Sequence, residues 1–325
     1  MIRFFALMFL ALTAHAGTPG KLVDVAGRKV FVDYVPAKAG QPTIVLLNGL
    51  TQSEKNWKDY ADELTERSPG LGILRFDMIG MGETLLAGKL PVDYAIPYTD
   101  QVELTAALMR KLGVGKSFIA GLSYGGGIAI AFGVRHPELT KALVLMAPFT
   151  EPLPNMDAFI RNEVATNRIQ FPMNPASDDE LYDYFLRQFI YSTYPSLEPS
   201  VLENPYRLEG VFRMVQGIRH YETLADTRRN LAVPTHLMLA NQDQYIPRDV
   251  HDRFWDAVPQ AARASRIDIS YTEHKIPQAV PAFAAAWTAE ILRGNSDLAK
   301  GLAFEGSTSD FRARAGDVTI QLPRN

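Results

Sequence analysis

The sequence contains no cysteine among its 325 residues. This absence excludes disulfide bonds, thiolate metal sites and a cysteine nucleophile. It does not reveal the cellular compartment, because an exported protein can also lack cysteine. The sequence also has no large excess of charge of either sign: it contains 33 Lys and Arg and 36 Asp and Glu, for a net charge of −3. Nothing in this balance indicates a nucleic-acid or anionic-membrane partner.

A hydrophobic run long enough to cross a bilayer is not evident either. The N-terminal apolar run, from Phe4 to Leu12, is shorter than the roughly 20 residues that a membrane span needs. Arg3 precedes it, and Ala14-His15-Ala16 follows. This order is typical of a secretory signal, so we expect a signal peptide over 1–16, export to the periplasm or medium, and no stable membrane span after cleavage. The alternative is an N-terminal helix packed on the body.

Buried strands and amphipathic helices alternate through the first half of the chain. Continuous apolar runs at 43–49, 71–78, 116–123 and 141–148 predict strands, and 56–68, 99–114 and 125–136 predict the helices between them. Two short strands around a turn at Gly27 come first, within 21–37. The alternation predicts an α/β fold with a mostly parallel central sheet and helices on both faces.

The alternation breaks after the sixth strand. The segment 149–234 contains three amphipathic helical patterns interrupted by prolines, which we interpret as a helical cap inserted into the sheet domain. The core then comprises 17–148 and 235–294. The tail, 295–325, is predicted to be extended or partly disordered, although "DVTIQLP" has the pattern of an edge strand.

The first candidate catalytic motif is "GLSYG", residues 121–125, where a predicted strand runs directly into a helix. A serine between such glycines at a strand-to-helix turn is the arrangement of an exposed nucleophile, Ser123. A dinucleotide cradle needs G-x-G-x-x-G, usually at the first strand, and a P-loop needs Gly-Lys-Ser/Thr; neither spacing is present. A purely structural turn remains the alternative.

A serine hydroxyl needs a base, and the base needs an orienting acid. Of only six histidines, His274 alone follows a predicted strand immediately, and catalytic groups of such sheets gather at the carboxyl ends of strands. Asp243 lies just past the preceding strand. Taken singly, Asp243 is also a turn former and His274 an exposed loop histidine. We expect the oxyanion donors to be the backbone N–H groups of Tyr124, at a helix start, and Leu50, after the first buried strand.

These residues resemble the α/β-hydrolase superfamily, especially its capped esterase, lipase and perhydrolase-like members. "FDMIGMGET", "NQDQYIP" and "EHKIPQAVP" are similar to the family's segments after the next strand, around the acid and around the base. The resemblance covers about 21–294 and implies a Ser123-Asp243-His274 triad that needs no metal or organic cofactor. Asn48 stands where the family usually has His, and Ile79 replaces a common Arg. Glu273 replaces a Gly, so an extra carboxylate lies near the base or points to solvent.

We therefore expect a serine hydrolase that cleaves a carboxylic ester, or a related acyl bond, of a small to medium hydrophobic molecule. Expected substrate contacts are Asn48, Gly49, Phe149, Phe185 and Tyr245. Each cap aromatic taken singly is also explained by core packing. The oligomeric state is not indicated.

Two alternatives stay open. An amidase or peptidase would need an acid in the cap to recognise an amine, for which Glu163, Asp178, Asp179 or Glu180 are candidates, although such charges usually mark a solvated face. A non-catalytic binding protein of the same fold is the other alternative. Haloalkane dehalogenation is disfavoured, because its carboxylate nucleophile is replaced by Ser123.

Overall fold

The computed structural model describes residues 20–88, 90–91, 94–197, 206–219 and 221–294, together with three short strands further along the chain. The predicted signal peptide and most of the predicted tail lie outside the described residues. Among the described helices, none is long and apolar enough to cross a membrane.

The described strands form one sheet. They are β1 (Lys21–Val25), β2 (Arg28–Val35), β3 (Thr43–Leu47), β4 (Gly72–Phe76), β5 (Ser117–Leu122), β6 (Thr140–Met146), β7 (Thr235–Gln242), β8 (Arg263–Glu273), β9 (Ala303–Glu305), β10 (Arg312–Ala315) and β11 (Val318–Gln321). Their order is β1-β2-β4-β3-β5-β6-β7-β8-β9-β10-β11. The central strands, from β4 to β9, pair in parallel, whereas both ends of the sheet are antiparallel. The prediction of a mostly parallel α/β sheet is confirmed, and "DVTIQLP" supplies the edge strand β11.

Helices occupy the connections. They are α1 (Lys58–Arg67), α2 (Gly82–Ala87), α3 (Tyr98–Lys111), α4 (Tyr124–Arg135), α5 (Pro154–Gln170), α6 (Asp178–Leu197), α7 (Tyr206–Ile218), α8 (Thr223–Asn230), α9 (Arg248–Ala257), α10 (Ile276–Ala279) and α11 (Pro281–Arg293). A 3-10 helix, Glu54–Trp57, precedes α1.

The sheet is buried on both faces, as its continuous apolar strands predict. Strand β3 shows this directly: Val45 and Leu47 belong to one buried cluster, and Ile44 and Leu46 belong to the other. Successive side chains of a strand point to opposite faces, so a strand that is apolar at every position must be covered on both. This packing leaves the strand ends as the places where polar chemistry can reach solvent.

Four helices, α5 to α8, lie between β6 and β7, in the segment predicted as a cap. Helices α5, α6 and α7 share a buried cluster of their own, centred on residues such as Ile160, Leu186 and Val211, whereas Leu224 of α8 packs against a cluster of the sheet domain. The sequence pattern predicts one helix through 206–224, but α7 ends at Ile218 and α8 begins at Thr223. The chain turns there because the Tyr221 amide donates to the Ile218 carbonyl and the Tyr221 ring packs edge-on against Tyr98, 4.9 Å between centroids.

The strand order places a reversal at β3. The chain leaves β3 for β4 on one side, and the next strand, β5, returns to the other side of β3. Loops that follow β3 and β5 therefore diverge, and a crevice opens between them at the carboxyl ends of the strands. Both the Leu50 loop and Ser123 lie at this point of the sheet.

Candidate active site

Ser123 lies between the end of β5 and the start of α4, in a backbone conformation that side chains rarely adopt. Its φ is +53° and its ψ is −119°. Such a conformation costs of order 1–3 kcal/mol and persists only where the surroundings enforce it. Here the Ser123 N–H donates to Met146 O at 3.0 Å, and Ser123 O accepts from Phe149 N–H at 2.8 Å. The sharp turn leaves the Ser123 side chain partly exposed at the head of the helix.

The glycines around Ser123 are required by close approach of backbone. A Cβ on Gly121 would lie 2.2 Å from Gly125 O, and one on Gly125 would lie 2.1 Å from Leu47 O. Neither contact can be relieved by a flexible side chain, because Gly125 O and Leu47 O are both backbone atoms. The α4 helix therefore sits directly against the end of β3, which brings the loop after β3 next to Ser123.

His274 and Asp243 are joined by a short hydrogen bond. The His274 Nδ1 and Asp243 Oδ2 atoms lie 2.7 Å apart, and both side chains are buried. The other carboxylate oxygen, Oδ1, accepts from the N–H groups of Tyr245 and Ile246, each at 2.9 Å. Strands β7 and β8 are parallel neighbours, so the two loops that carry these residues leave the same edge of the sheet.

The surroundings of Asp243 keep it ionised. Burial by itself raises the pKa of this carboxyl, but the hydrogen bond and charge of His274, with the N–H groups of Ile246 and Tyr245, hold the pKa below its usual value. A carboxylate on Nδ1 orients the imidazole and leaves Nε2 as the nitrogen that faces away from the acid.

Ser123 and His274 line one pocket, which encloses about 560 Å³ of empty space, part of it open to solvent. Its wall is largely apolar. The predicted substrate contacts Gly49, Phe149 and Tyr245 line it, and so does Leu50, a predicted oxyanion donor. The Tyr245 ring packs edge-on to His274 with centroids 5.0 Å apart. The structure thus brings together, in one cavity, the predicted nucleophile, base and loop after β3.

The loop after β3 is a tight, internally bonded turn. Gly49 N–H donates to Gln52 Oε1 at 3.2 Å, and Gln52 N–H donates to Gly49 O at 3.3 Å. Thr51 takes a φ of +67°. Leu50 lies within this turn at the pocket wall. Tyr124 begins α4, where the first N–H groups of a helix have no acceptor within the helix. Of the two predicted oxyanion donors, Tyr124 directly follows Ser123 in the chain and Leu50 lines the same pocket as Ser123.

Two predicted substrate contacts are placed elsewhere. Asn48 is completely buried: its Nδ2 donates to Phe76 O at 2.9 Å, and its Oδ1 accepts from Trp57 Nε1 at 2.8 Å. With both amide groups engaged by the protein, Asn48 braces the loop and does not line the pocket. Phe185 packs partly buried against the cap's own cluster, because its helical spacing serves the cap core. Phe185 is not among the residues that line the pocket.

Sequence reasoning missed several residues of the wall. Leu153 and Tyr194 enter from the cap, and Gln52 and Lys275 from the core loops. Lys275 follows the predicted base directly, which was an available signal. Nothing in the sequence distinguishes Tyr194 from the other aromatics of the cap, since its position depends on how α6 packs.

Other polar candidates lie away from the pocket. His236 is buried in the sheet, with Nδ1 2.8 Å from Ser265 Oγ, and His136 lies at the end of α4 beside Glu103 and Glu138. Glu273 is solvent-exposed. His220 is outside the described residues. In the described part of the chain, no group of three or more His, Asp or Glu side chains is placed to hold a metal ion.

Comparison with known families gives one match over most of the chain. Residues 38–277 match the family described as serine aminopeptidase, S33. A proline iminopeptidase from Lactobacillus helveticus is 31% identical over 122 residues, which is 37% of this chain and 40% of that one. The chain thus matches well under half the length of that relative. A 2-hydroxymuconate semialdehyde hydrolase from Pseudomonas sp. (strain CF600) is 24% identical over 222 residues, 64% of this chain and 72% of that one.

Solved structures share the fold. An alpha/beta hydrolase enzyme from a Medee basin deep-sea metagenome library superposes with a TM-score of 0.63 at 20% identity, covering 84% of this chain and 97% of that one. A thermophilic esterase from Thermogutta terrifontis superposes with a TM-score of 0.59 at 19% identity, covering 86% and 100%. At these identities the likeness establishes the fold alone.

Proposed function

The chain belongs to the serine aminopeptidase S33 family of α/β hydrolases, and from this premise we propose that it is a serine hydrolase that cleaves carboxylic esters through an acyl-enzyme. The observation that carries the proposal is the single apolar pocket wall that Ser123 and His274 share, with Asp243 bonded behind His274. The three residues come from separate loops, and packing of the fold does not by itself require them to lie together. Their proximity therefore supports a nucleophile, a base and an orienting acid that act together.

In the proposed reaction, Ser123 Oγ attacks the ester carbonyl as His274 Nε2 takes its proton. Asp243 stabilises the imidazolium that forms, and the N–H groups of Leu50 and Tyr124 hold the oxyanion. His274 then gives the proton to the leaving alcohol. His274 then deprotonates a water molecule that attacks the acyl-enzyme carbonyl, and it returns this proton to Ser123 Oγ as the acid leaves. Each oxyanion donor of this kind contributes about 10²–10³-fold to turnover.

The pocket favours an ester of a small to medium, mainly hydrophobic molecule. Phe149, Leu153 and Ile246 supply apolar contact around the nucleophile, and Tyr194 brings one cap aromatic to the same wall. A pocket of this kind gains affinity mainly from apolar area removed from water.

Peptide hydrolysis is the second candidate, because the matching family and the proline iminopeptidase relative carry that name. An aminopeptidase would have to recognise a substrate amine. The cap acids proposed for this, Glu163, Asp178, Asp179 and Glu180, do not line the described pocket. Asp178 pairs with Arg168 at 2.7 Å and Asp179 with Arg219 at 2.6 Å, so these carboxylates serve the cap's surface.

The test combines covalent labelling with turnover. We expect a fluorophosphonate probe to label the wild-type protein and not Ser123→Ala, and we expect p-nitrophenyl butyrate hydrolysis to fall by at least about 10³-fold in that variant. Ser192→Ala, an exposed serine on α6, is the matched control. Unchanged hydrolysis in Ser123→Ala would overturn the proposal. Faster cleavage of proline p-nitroanilide than of p-nitrophenyl butyrate would favour the peptidase.

We also infer export from the N-terminal pattern, which lies outside the described residues. Cleavage after Ala16 would leave Gly17 at the N-terminus of the mature protein. N-terminal sequencing of protein recovered from the expressing cells and medium checks this, and an intact Met1 on exported protein would contradict it.

A further inference from the structure

A second, polar cavity adjoins the apolar pocket. It encloses about 680 Å³ of empty space, part of it open to solvent, between the loop after β3, the turn after β4 and helix α7 of the cap. Thr51, Gln52 and Lys275 line both cavities, so the two lie side by side along these residues. A molecule with one end at Ser123 therefore has a polar chamber next to it, at the boundary of cap and core.

Two cationic side chains line this polar cavity, one from each side. Arg207 comes from the first turn of α7, and Lys275 comes from the loop after β8, one residue beyond His274. Both side chains are partly buried. Partial burial strengthens their attraction for an anion, since the charge is screened less than on an open surface.

Neutral polar residues also line the cavity, beside the apolar Met81, Val211 and Met214. They are Thr51, Ser53 and Asn56, all from the segment after β3, where the Asn56 Oδ1 accepts from the Ser53 N–H at 2.9 Å. Guanidinium, ammonium and hydroxyl donors together suit a carboxylate, which accepts several hydrogen bonds at once. Ser123 lines the apolar pocket, Arg207 lines the polar cavity, and Lys275 lies at the boundary of the two, so the cavities differ in the part of a substrate that they favour.

We propose that the polar cavity is a subsite for a substrate carboxylate, so that the preferred ester carries a free carboxylate in addition to the bond that is cleaved. This rests on the proposed ester hydrolysis. Arg207 and Lys275 bind the carboxylate while the apolar part of the substrate fills the pocket at Ser123. Hydrogen bonds to charged groups are worth enough to change the rate by about tenfold or more.

The test uses matched esters that differ only in the carboxylate. On the acyl side, p-nitrophenyl hydrogen adipate is compared with its methyl ester; on the alcohol side, 4-acetoxybenzoate is compared with methyl 4-acetoxybenzoate. Each kcat/KM is divided by the rate of hydroxide-catalysed hydrolysis of the same ester. For the side of the substrate that enters the cavity, we expect the charged ester to be preferred by about tenfold or more.

The variants Arg207→Gln and Lys275→Gln assign the preference to its residues. We expect the charged-to-neutral ratio to fall about tenfold in each, while Lys111→Gln, an exposed change of the same charge on α3, keeps the wild-type ratio. Circular dichroism checks that each variant is folded. A wild-type ratio near one on both sides would overturn the subsite, and so would an equal loss of ratio in Lys111→Gln.

A failure of ester hydrolysis is distinguished by binding. Calorimetry on Ser123→Ala measures the affinity for 4-acetoxybenzoate and for p-nitrophenyl hydrogen adipate, each compared with its own methyl ester. This comparison requires no turnover. Tighter binding of either charged compound, lost in Ser123→Ala/Arg207→Gln, supports the subsite even if the protein hydrolyses none of the esters. Equal binding of charged and neutral compounds overturns it.

Discussion

Asp243 Oδ2 and His274 Nδ1 lie 2.7 Å apart, although 30 residues separate them in the chain. The carboxylate is held from its other side by the N–H groups of Tyr245 and Ile246. It therefore cannot turn away from the imidazole without giving up two backbone hydrogen bonds. This relationship places a fixed, ionised acid behind the proposed base.

Asp243→Asn should nearly abolish turnover while leaving the fold intact. The amide keeps the shape but loses the charge that stabilises an imidazolium and favours the useful tautomer, so we expect kcat to fall by about 10³–10⁴-fold. Steady-state kinetics with p-nitrophenyl butyrate measures this. Asp59→Asn, an exposed aspartate on α1, is the control. A folded Asp243→Asn protein with wild-type kcat would exclude Asp243 from the reaction.

Gly125→Ala should damage both stability and activity, because its methyl group would meet Leu47 O at 2.1 Å. To remove this clash, α4 has to move away from the end of β3. Overpacking of this kind typically lowers the free energy of unfolding by about 1–3 kcal/mol. We expect Tm to fall by about 3–10 °C and kcat to fall at least about tenfold. In Gly115→Ala the new methyl meets nothing within 4 Å, so its Tm and kcat should match the wild type. Equal behaviour of the two variants would contradict the close approach.

Asn48→Ala should destabilise the protein, because it leaves two buried polar groups without their hydrogen-bond partner. Trp57 Nε1 and Phe76 O would each lose a hydrogen bond in the interior, at about 1–3 kcal/mol apiece. We expect the free energy of unfolding, from urea titration, to fall by about 2–5 kcal/mol. Asn230→Ala at the exposed end of α8 should stay within about 0.5 kcal/mol. A loss of substrate affinity without loss of stability would restore the predicted substrate contact.

His251 should make the fold sensitive to mild acid. Burial lowers the pKa of this histidine to about 4 from 6.5; the charge of Asp243 opposes the shift, and those of His274, Arg248 and Arg266 add to it. Between these two values the unfolded chain binds the proton and the native chain does not, so stability falls as pH decreases and levels off below about 4.

The contribution of His251 can be isolated by His251→Phe, which keeps a ring and removes the titration. The wild type should lose about 2 kcal/mol more than His251→Phe when urea unfolding is compared at pH 7 and pH 5. A pH dependence that is identical in the two proteins would show that the pKa of His251 is the same in the native and unfolded states.

Much of the site was predictable because its signals are local. A strand that is apolar throughout, followed at once by "GLSYGGG", predicts both the turn at Ser123 and the buried sheet. The order of strand ends brings Asp243 and His274 to the same edge. A Cβ on Gly126 would meet Pro148 and one on Gly127 would meet Phe149 O, so these two glycines let α4 pack closely against the segment that follows β6.

Other features depended on contacts between distant segments, which no local pattern records. The sequence by itself determined the fold class and the backbone position of the proposed nucleophile, because periodicity and turn chemistry act between near neighbours. Only the tertiary structure decided that Asn48 faces Trp57 and Phe76, that Phe185 serves the cap core, and that Arg207 and Lys275 line one cavity. Those outcomes follow from how α7 and the loop after β3 pack, and packing is set by the whole core.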